Sequence, residues 1–276
     1  MLKKLKSLLY HQLLAPPVAR LGCRPPFGIP LGRLALGGAF GFDEEERIKE
    51  AVPRVRAYTM TTFERLASLW EQVRYLDRCG IAGDLVECGV WKGGSVGLMA
   101  LAHLARGRPP VRTLHLFDSF EGLPEPRAEV DGLEAVAYAG RRGGGKLESI
   151  DLCVGTLADN RRLLEEEIGY PSSLLRYHAG WFEDTLPRDA PGLGAIALLR
   201  LDGDWYESTR ITLAHLYSKV VPGGVVVIDD YGQWEGCRRA VDEYLSTLAE
   251  PVLLNHIDHS ARYWVRTSCA VPEASA

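Results

Sequence analysis

The chain has 276 residues, of which 46% are hydrophobic and 25% are charged, and its net charge is −4 at pH 7. These values are typical of a globular protein and argue against a disordered, collagen-like or membrane protein. The chain has no basic surplus with which to neutralise a run of phosphates. We therefore expect a small-molecule ligand and no nucleic-acid partner.

The six cysteines form no C-x-x-C pair. This argues against a zinc site or a disulfide framework and indicates reduced thiols in the cytoplasm.

The first 42 residues are predicted to lie outside the main domain. Residues 1–14 (MLKKLKSLLYHQLL) are basic and then apolar, and residues 15–41 are rich in proline and glycine. No stretch approaches the roughly 20 apolar residues of a membrane-spanning helix. We predict a short amphipathic segment, used for homo-oligomer formation or for covering the substrate, followed by an irregular arm. A role at a membrane surface is the alternative for this segment.

The rest of the chain has the pattern of a helical cap followed by an α/β domain. Residues 43–82 contain an acidic first turn at 43–46 and apolar residues at helical spacing over 61–78. From residue 83 onward, short apolar runs alternate with helical stretches, which is typical of βαβ units and a parallel sheet. The predicted parallel strands are residues 84–88, 112–117, 175–178, 196–201 and 225–228.

The last two predicted strands change the fold class. Residues 252–257 and 262–266 are separated by only four residues, too few for a helical crossover, so we predict an antiparallel hairpin. In a dinucleotide-binding sheet, by contrast, the last strands are also joined by helical connections. The chain is therefore predicted to have a Rossmann-like methyltransferase fold, with a mostly parallel seven-stranded sheet that ends in an antiparallel hairpin.

The first strand ends in a glycine-rich turn, VECGVWKGGS at residues 86–95. Glycines let the backbone approach a ligand closely, and the following helix offers unpaired N–H groups. The turn does not match G-x-G-x-x-G, and Glu87 would lie unfavourably beside a pyrophosphate. A cationic amino-acid ligand fits better. The second strand ends at Asp118, whose carboxylate is predicted to accept hydrogen bonds from both hydroxyls of a ribose.

Two further strands end in acidic residues, in LDGDWYEST at residues 201–209 and IDDYG at residues 228–232. Neighbouring parallel strands bring their carboxyl ends to one edge of a sheet, so Asp202, Asp229 and Asp230 should converge. Carboxylates at about 4 Å repel one another by about 4 kcal/mol per pair at an intermediate dielectric. A divalent cation removes this repulsion, and a set of oxygen ligands without His or Cys favours Mg²⁺.

These motifs, together with YTMT at residues 58–61 and WFEDTLP at 181–187, resemble those of the macrocin O-methyltransferase (TylF) family. These are class I enzymes that use S-adenosylmethionine and methylate sugar hydroxyls of natural products. The resemblance implies cofactor binding by Glu87, Gly89 and Asp118, metal binding by Asp202, Asp229 and Asp230, and a base role for Asp204. The full set of implied cofactor positions is Thr59, Met60, Glu87, Cys88, Gly89, Val90, Gly93, Gly94, Ser95, Asp118, Ser119, Phe120, Gly180, Trp181, Phe182, Asp202 and Ser208.

The resemblance and the acids together give a mechanistic hypothesis. A carboxylate with a pKa near 4 cannot deprotonate an alcohol unaided, whereas a bound cation lowers the pKa of the hydroxyl. Asp202 would hold the cation and Asp204 would accept the proton. Tyr206, His256 and His259 are alternative bases. Trp181, Phe182 and Trp205 are candidates for packing around the adenine or a sugar ring.

Residues 124–150 form an insertion that we interpret as a mobile lid over the substrate, with a plain disordered surface loop as the alternative. Its GRRGGGK segment resembles a phosphate loop only superficially, because no strand precedes it and no Ser or Thr follows the lysine. The expected acceptor is a sugar hydroxyl of a small glycosylated metabolite, and a phenolic, polyketide or peptide hydroxyl is the alternative. An NAD-dependent oxidoreductase and an inactive S-adenosylmethionine-binding protein are less consistent with the motifs.

Overall fold

Two helices come before the sheet in the described part of the computed structural model, which covers residues 44–249 and 251–267. These are α1 (Glu45–Val55) and α2 (Phe63–Arg78), joined by a 3₁₀ turn at Arg56–Tyr58. α2 begins where the Thr62 hydroxyl accepts a hydrogen bond from the backbone N–H of Arg65, which satisfies a helix-start donor. The amphipathic segment predicted for residues 1–14 and the arm after it lie outside the described residues.

A seven-stranded mixed sheet follows, with strand order β3-β2-β1-β4-β5-β7-β6. The strands are β1 (Asp84–Cys88), β2 (Leu114–Asp118), β3 (Leu175–Ala179), β4 (Ile196–Leu201), β5 (Val220–Ile228), β6 (Asn255–His256) and β7 (Arg262–Val265). The first five strands are parallel, whereas β7 pairs antiparallel with both β5 and β6. The predicted Rossmann-like sheet with a terminal antiparallel hairpin is confirmed.

Helices cover both faces of this sheet. The later helices are α3 (Gly94–Leu104), α4 (Ala128–Tyr138), α5 (Leu157–Arg161, continued by a π-helical turn at Arg162–Glu167), α6 (Phe182–Asp189), α7 (Tyr206–Leu216) and α8 (Glu235–Ser246). Successive strand residues point to opposite faces, so Leu85 joins the core of α1, α2 and α3, whereas Val86 joins the core of α6, α7 and α8. From Ile48 onward the described residues belong to one compact unit.

Several strand bounds differ from the prediction, each for a local reason. β2 begins at Leu114 instead of residue 112, because the N–H of Thr113 donates to the Asp84 side chain at 2.8 Å instead of to a neighbouring strand. β5 begins five residues earlier than predicted, at Val220, and its register with β4 shifts between Ile196 and Leu198. The bulge accommodates the Pro-Gly-Gly run at residues 222–224 within the strand.

The carboxyl ends of β1, β4 and β5 are joined backbone to backbone. The N–H of Asp202 donates to the carbonyl of Cys88 at 2.8 Å, and the N–H of Asp229 donates to the carbonyl of Leu201 at 2.9 Å. The loops that leave these strands are therefore fixed relative to one another. Among the helices of the described ranges, none is both long and apolar enough to span a membrane.

Candidate active site

A cavity of about 600 Å³ opens at the carboxyl ends of β1, β2, β4 and β5. Its walls carry Tyr58, Thr59, Met60, Thr61, Arg65, Glu87, Gly89, Val90, Trp91, Ser95, Asp118, Gly122, Leu123, Glu134, Ala137, Tyr138, Cys153, Asp202, Asp204, Asp229, Asp230, Gln233 and Trp234. A smaller recess beside it is lined by Gly89, Asp118, Ser119, Gly122, Leu123, Pro124, Trp181, Phe182, Glu183, Asp202, Gly203 and Ser208. The cavity lies within the usual size range of a small-molecule site.

Glu87 is a buried carboxylate with one oxygen available to a ligand. Its side chain is 1% exposed, and Oε1 accepts a hydrogen bond from Arg200, whereas Oε2 has no partner within the described residues. Burial raises the pKa of Glu87, and the nearby Asp202 and Asp229 raise it further against the opposing effect of Arg200. A buried, unpaired carboxylate oxygen beside the cavity suits a cationic amine, as the sequence predicted.

Asp118 lies between the cavity and the recess and is held by backbone N–H groups. Its carboxylate accepts hydrogen bonds from Val90 and Phe120 at 2.7 Å and from Trp91 at 3.1 Å. Burial raises the pKa of Asp118, and these donors oppose the shift. The carboxylate is thereby fixed at the boundary between the cavity and the recess, and Trp181 and Phe182 line the recess.

The structure separates the predicted cofactor positions into two groups. Those that line the cavity or the recess are Thr59, Met60, Glu87, Gly89, Val90, Ser95, Asp118, Ser119, Trp181, Phe182, Asp202 and Ser208, whereas Cys88, Gly93, Gly94, Phe120 and Gly180 line neither. A Cβ on Gly93 would meet Asn160 at 2.4 Å, and a Cβ on Gly94 would meet Thr59 at 2.6 Å. These two glycines allow close packing behind the turn. Trp205 is likewise a core residue, 2% exposed.

Gly89 is required by the close approach of two strand ends. Its φ is +88°, and a Cβ there would lie 1.8 Å from the carbonyl oxygen of Asp202.

We expect Gly89→Ala to lower the free energy of unfolding by about 3 kcal/mol, from left-handed strain and overpacking together. Urea unfolding measures this loss. Gly107→Ala is the matched control, because Gly107 has a φ of +68° and nothing within 4 Å of its Cβ position. Equal losses in the two variants would contradict the close approach.

Asp202, Asp229 and Asp230 converge as predicted, each offering one oxygen atom within 4.8 Å of the others. Burial raises the pKa of Asp202 to about 6 and raises that of Asp230 well above its usual range, and neighbouring acids add to the shift of Asp230. A bound cation would stabilise the ionised form of Asp230, whose carboxyl is buried among other acids. The geometry, the charge and the all-oxygen donor set therefore fit a divalent metal ion.

Two arginines that the sequence analysis did not single out bind the same acids. Arg200, 2% exposed, bonds to Glu87 and Asp229 and to the Asp202 carboxylate at 2.7 Å. Arg65 of α2 bonds to Asp229 and to Asp258 at 2.7 Å. The signal for Arg200 was a lone cation inside the apolar run IALLRL, since a buried arginine requires acidic partners.

Asp204 lies on the cavity wall in an unusual backbone conformation. Its φ is +59°, rare for a residue other than glycine. Its Oδ1 accepts a hydrogen bond from the Trp234 indole N–H at 2.7 Å, and burial and Asp202 raise its pKa to about 7. The alternative bases lie elsewhere: the Tyr206 hydroxyl donates to Glu243 at 2.6 Å, and His256 and His259 are exposed outside the cavity lining.

The insertion at residues 124–150 is folded and contributes to the cavity wall. It contains α4, from which Glu134, Ala137 and Tyr138 face the cavity. Antiparallel bridges join Pro124 to Ser149 and Arg127 to Gly144. The segment thus holds a helix and closes back on itself, and its interpretation as a mobile lid stays a prediction.

Comparisons with known proteins identify the family of the chain. The macrocin-O-methyltransferase (TylF) family model matches residues 34–266. The demethyldecarbamoylnovobiocin O-methyltransferase of Streptomyces niveus is 38% identical, in a match that covers 76% of each chain. The mycinamicin III 3''-O-methyltransferase of Micromonospora griseorubida is 34% identical, covering 82% of this chain and 85% of its own.

Solved structures show the same fold. The O-methyltransferase NovP superposes with a TM-score of 0.66 at 34% identity, covering 76% of this chain and 83% of its own. The calicheamicin methyltransferase CalS11 has a TM-score of 0.56 at 20% identity, covering 82% and 94%, and is a likeness of fold alone. The family suggested by the motifs is thus confirmed. The chain belongs to the macrocin-O-methyltransferase (TylF) family and is an S-adenosylmethionine-dependent O-methyltransferase.

Proposed function

We propose that this enzyme methylates a sugar hydroxyl of a glycosylated small natural product and that the reaction requires Mg²⁺. The names of its relatives support the acceptor class: one acts on the 3'' position of mycinamicin III, and another on the 4' position of a rhamnosyl tetracenomycin. The observation that carries the metal requirement is the convergence of Asp202, Asp229 and Asp230 on the cavity wall. Mg²⁺ held by these acids would supply Lewis-acid stabilisation of the acceptor oxygen as its proton leaves.

The residues of the cavity have separate tasks in this proposal. S-adenosylmethionine supplies the methyl group on a sulfonium centre. Glu87 Oε2, which has no partner within the described residues, would pair with the cofactor's ammonium group. Asp118, fixed by three N–H donors, would accept hydrogen bonds from its ribose. These contacts would place the methyl group near the acids and so favour transfer by orientation.

Asp204 is the proposed general base. It lines the same cavity as the three acids, and its pKa is raised to about 7, close to the pH at which a base is effective. Its carboxylate would take the proton from the acceptor hydroxyl. The two acidic partners on either side of it in the fold, Asp202 and Asp230, would then remain as ligands for the cation.

The test of this function is methyl transfer from labelled S-adenosylmethionine to a panel of acceptors. Desmethyl glycosides such as demethyldecarbamoylnovobiocin and mycinamicin III are compared with their sugar-free aglycones, each with Mg²⁺, with EDTA, and with EDTA followed by excess Mg²⁺. We expect transfer to glycosides alone, its loss with EDTA, and its return with Mg²⁺. S-adenosylhomocysteine should raise the melting temperature in all three conditions, which controls for folding.

Each part of the proposal has its own contrary result. Transfer to the aglycones with a free phenolic hydroxyl, but not to the sugars, would replace the sugar by a non-sugar acceptor. Transfer that survives complete chelation would remove the metal requirement and leave the acceptor class standing. Undiminished transfer after Asp202→Ala, with the S-adenosylhomocysteine shift retained, would contradict a role of Asp202 in the reaction.

A further inference from the structure

Trp234, in the loop between β5 and α8, is the direct hydrogen-bond donor to Asp204. Its indole N–H donates to Asp204 Oδ1 at 2.7 Å, and the side chain is 7% exposed. Asp204 lies among other acids, and its own backbone N–H donates to Asp230 Oδ2 at 3.3 Å. Because the charges of Asp202, Asp229 and Asp230 repel that of Asp204, its carboxylate would turn away from these neighbours without an anchor. The indole N–H is such an anchor.

The indole itself is held by aromatic rings from two other segments. The Trp205 ring lies 5.2 Å from it in an edge-on arrangement, and the Tyr138 ring of α4 lies 5.3 Å from it. The Trp205 indole N–H donates to the carbonyl of Pro124 at 2.9 Å, at the start of the insertion. The insertion therefore contacts the Asp204 loop through this aromatic cluster of Tyr138, Trp205 and Trp234.

A buried acid of the insertion fixes the backbone on the other side of Asp204. Asp131 is 3% exposed, and its carboxylate accepts the N–H groups of Tyr206 and Arg127, both at 2.7 Å. Tyr206 is the first residue of α7, two positions after Asp204. A Cβ on Gly236 would lie 2.1 Å from Asp131 Oδ1, so α8 packs closely against the same point.

We propose that Trp234 is a positioning residue for methyl transfer: its indole N–H fixes the Asp204 carboxylate, and Tyr138 of the insertion holds the indole in place. This inference rests on the proposed role of Asp204 as the base. It gives the insertion a task beyond covering the cavity. Movement of α4 would alter the orientation of the base as well as access to the acceptor.

The test replaces Trp234 by phenylalanine, which removes the N–H and keeps an aromatic ring. We expect kcat, measured with the best glycoside of the panel above, to fall about 10-fold to 100-fold, the range for a hydrogen bond to a charged group. The KM for S-adenosylmethionine and the affinity for S-adenosylhomocysteine should stay unchanged. Trp264→Phe is the matched control, because Trp264 is 1% exposed and its indole N–H has no partner within the described residues.

Two further measurements keep the proposal open to refutation. A crystal structure of Trp234→Phe with S-adenosylhomocysteine should show the Asp204 carboxylate turned from its present position; an unmoved carboxylate overturns the proposal without any acceptor. Tyr138→Leu, a change at a half-exposed ring, serves if Trp234→Phe does not fold, and should lower kcat several-fold. An unchanged kcat in that variant would also overturn the proposal.

A double-mutant cycle separates this inference from the proposed function. If Trp234 acts through Asp204, Trp234→Phe should lower kcat no further in an Asp204→Asn background. An effect of the same size in both backgrounds, or a rise in acceptor KM with kcat unchanged, makes Trp234 a substrate contact and overturns the inference. Full activity of Asp204→Asn alone would instead remove the base assignment, and the inference with it.

Discussion

Replacing Asp204 by asparagine is expected to lower kcat by about 10²-fold to 10⁴-fold, the contribution of a positioned general base. The amide has the shape of the carboxylate and its oxygen can still accept the Trp234 indole N–H, which lies 2.7 Å from Oδ1. It cannot take a proton at neutral pH. Single-turnover rates with labelled S-adenosylmethionine measure the loss, and calorimetric titration with S-adenosylhomocysteine should show an unchanged affinity.

Glu134→Gln is the control for this variant. Glu134 lines the same cavity from α4 but is exposed. We therefore expect Glu134→Gln to change kcat far less than Asp204→Asn does. A fully active Asp204→Asn enzyme would show that another group takes the proton. Asp202→Ala would still report on the acids, because Asp202 belongs to the group of three carboxylates that we propose to hold the cation.

Replacing Arg200 by methionine is expected to cause the largest loss of stability, about 3 to 5 kcal/mol, the usual result of removing one partner of a buried ion pair. The guanidinium is 2% exposed and bonds to three carboxylates, those of Glu87, Asp202 and Asp229. Methionine fills much of the volume but leaves Glu87 without its hydrogen-bond donor. Urea unfolding in the absence of Mg²⁺ measures the change in the free energy of unfolding.

An exposed arginine provides the comparison for this loss. Arg239 pairs with Glu243 at 2.8 Å, and the two side chains are 50% and 49% exposed. Arg239→Met should therefore cost no more than about 0.5 kcal/mol. Similar losses at the two positions would show that the buried network around Arg200 contributes little beyond an ordinary surface pair.

The sequence predicted the parts of the site that follow from topology. Asp202 and Asp229 each come directly after a buried strand, and neighbouring parallel strands end at one edge, so their convergence needed no knowledge of side-chain packing. Glu87, before the glycine-rich turn, and Asp118, at the end of β2, were predicted from their motifs; both line the cavity, and their contacts with a cofactor stay predictions. The terminal hairpin followed from the length of its connection, which rules out a crossover.

The parts that the sequence did not predict depend on which side chains meet across distant segments. Trp234 is 30 positions from Asp204, and nothing local to either residue indicates their hydrogen bond. The role of Arg65 depends on how α2 packs on the sheet. Gly93 and Gly94 fit the pattern of a ligand-binding turn, but the atoms that approach them belong to Asn160 and to Tyr58 and Thr59.

The helix within the insertion could not be predicted from its local sequence pattern. Gly132 has a φ of +79° inside α4 and kinks the helix. The apolar residues of α4 also do not fall on a single helical face. The buried Asp131 stabilises it through contacts with residues about 75 positions away, such as the N–H of Tyr206. Neither feature follows a rule of helix periodicity, and no helix was therefore predicted within the lid-like insertion.

The close approach of Gly89 to the carbonyl oxygen of Asp202 also restricts where related enzymes can change their choice of acceptor. It joins the loop beside Glu87 to the loop that carries the acids, and a Cβ at Gly89 would already lie 1.8 Å from that oxygen. A change of length in one loop must therefore keep this contact with the other. Glu134 lines the cavity from α4, is exposed and takes no part in this contact. New acceptors can therefore be accommodated at such exposed wall positions, while Tyr138 and Asp131 keep their contacts with Trp234 and Tyr206 and the reacting groups keep their places.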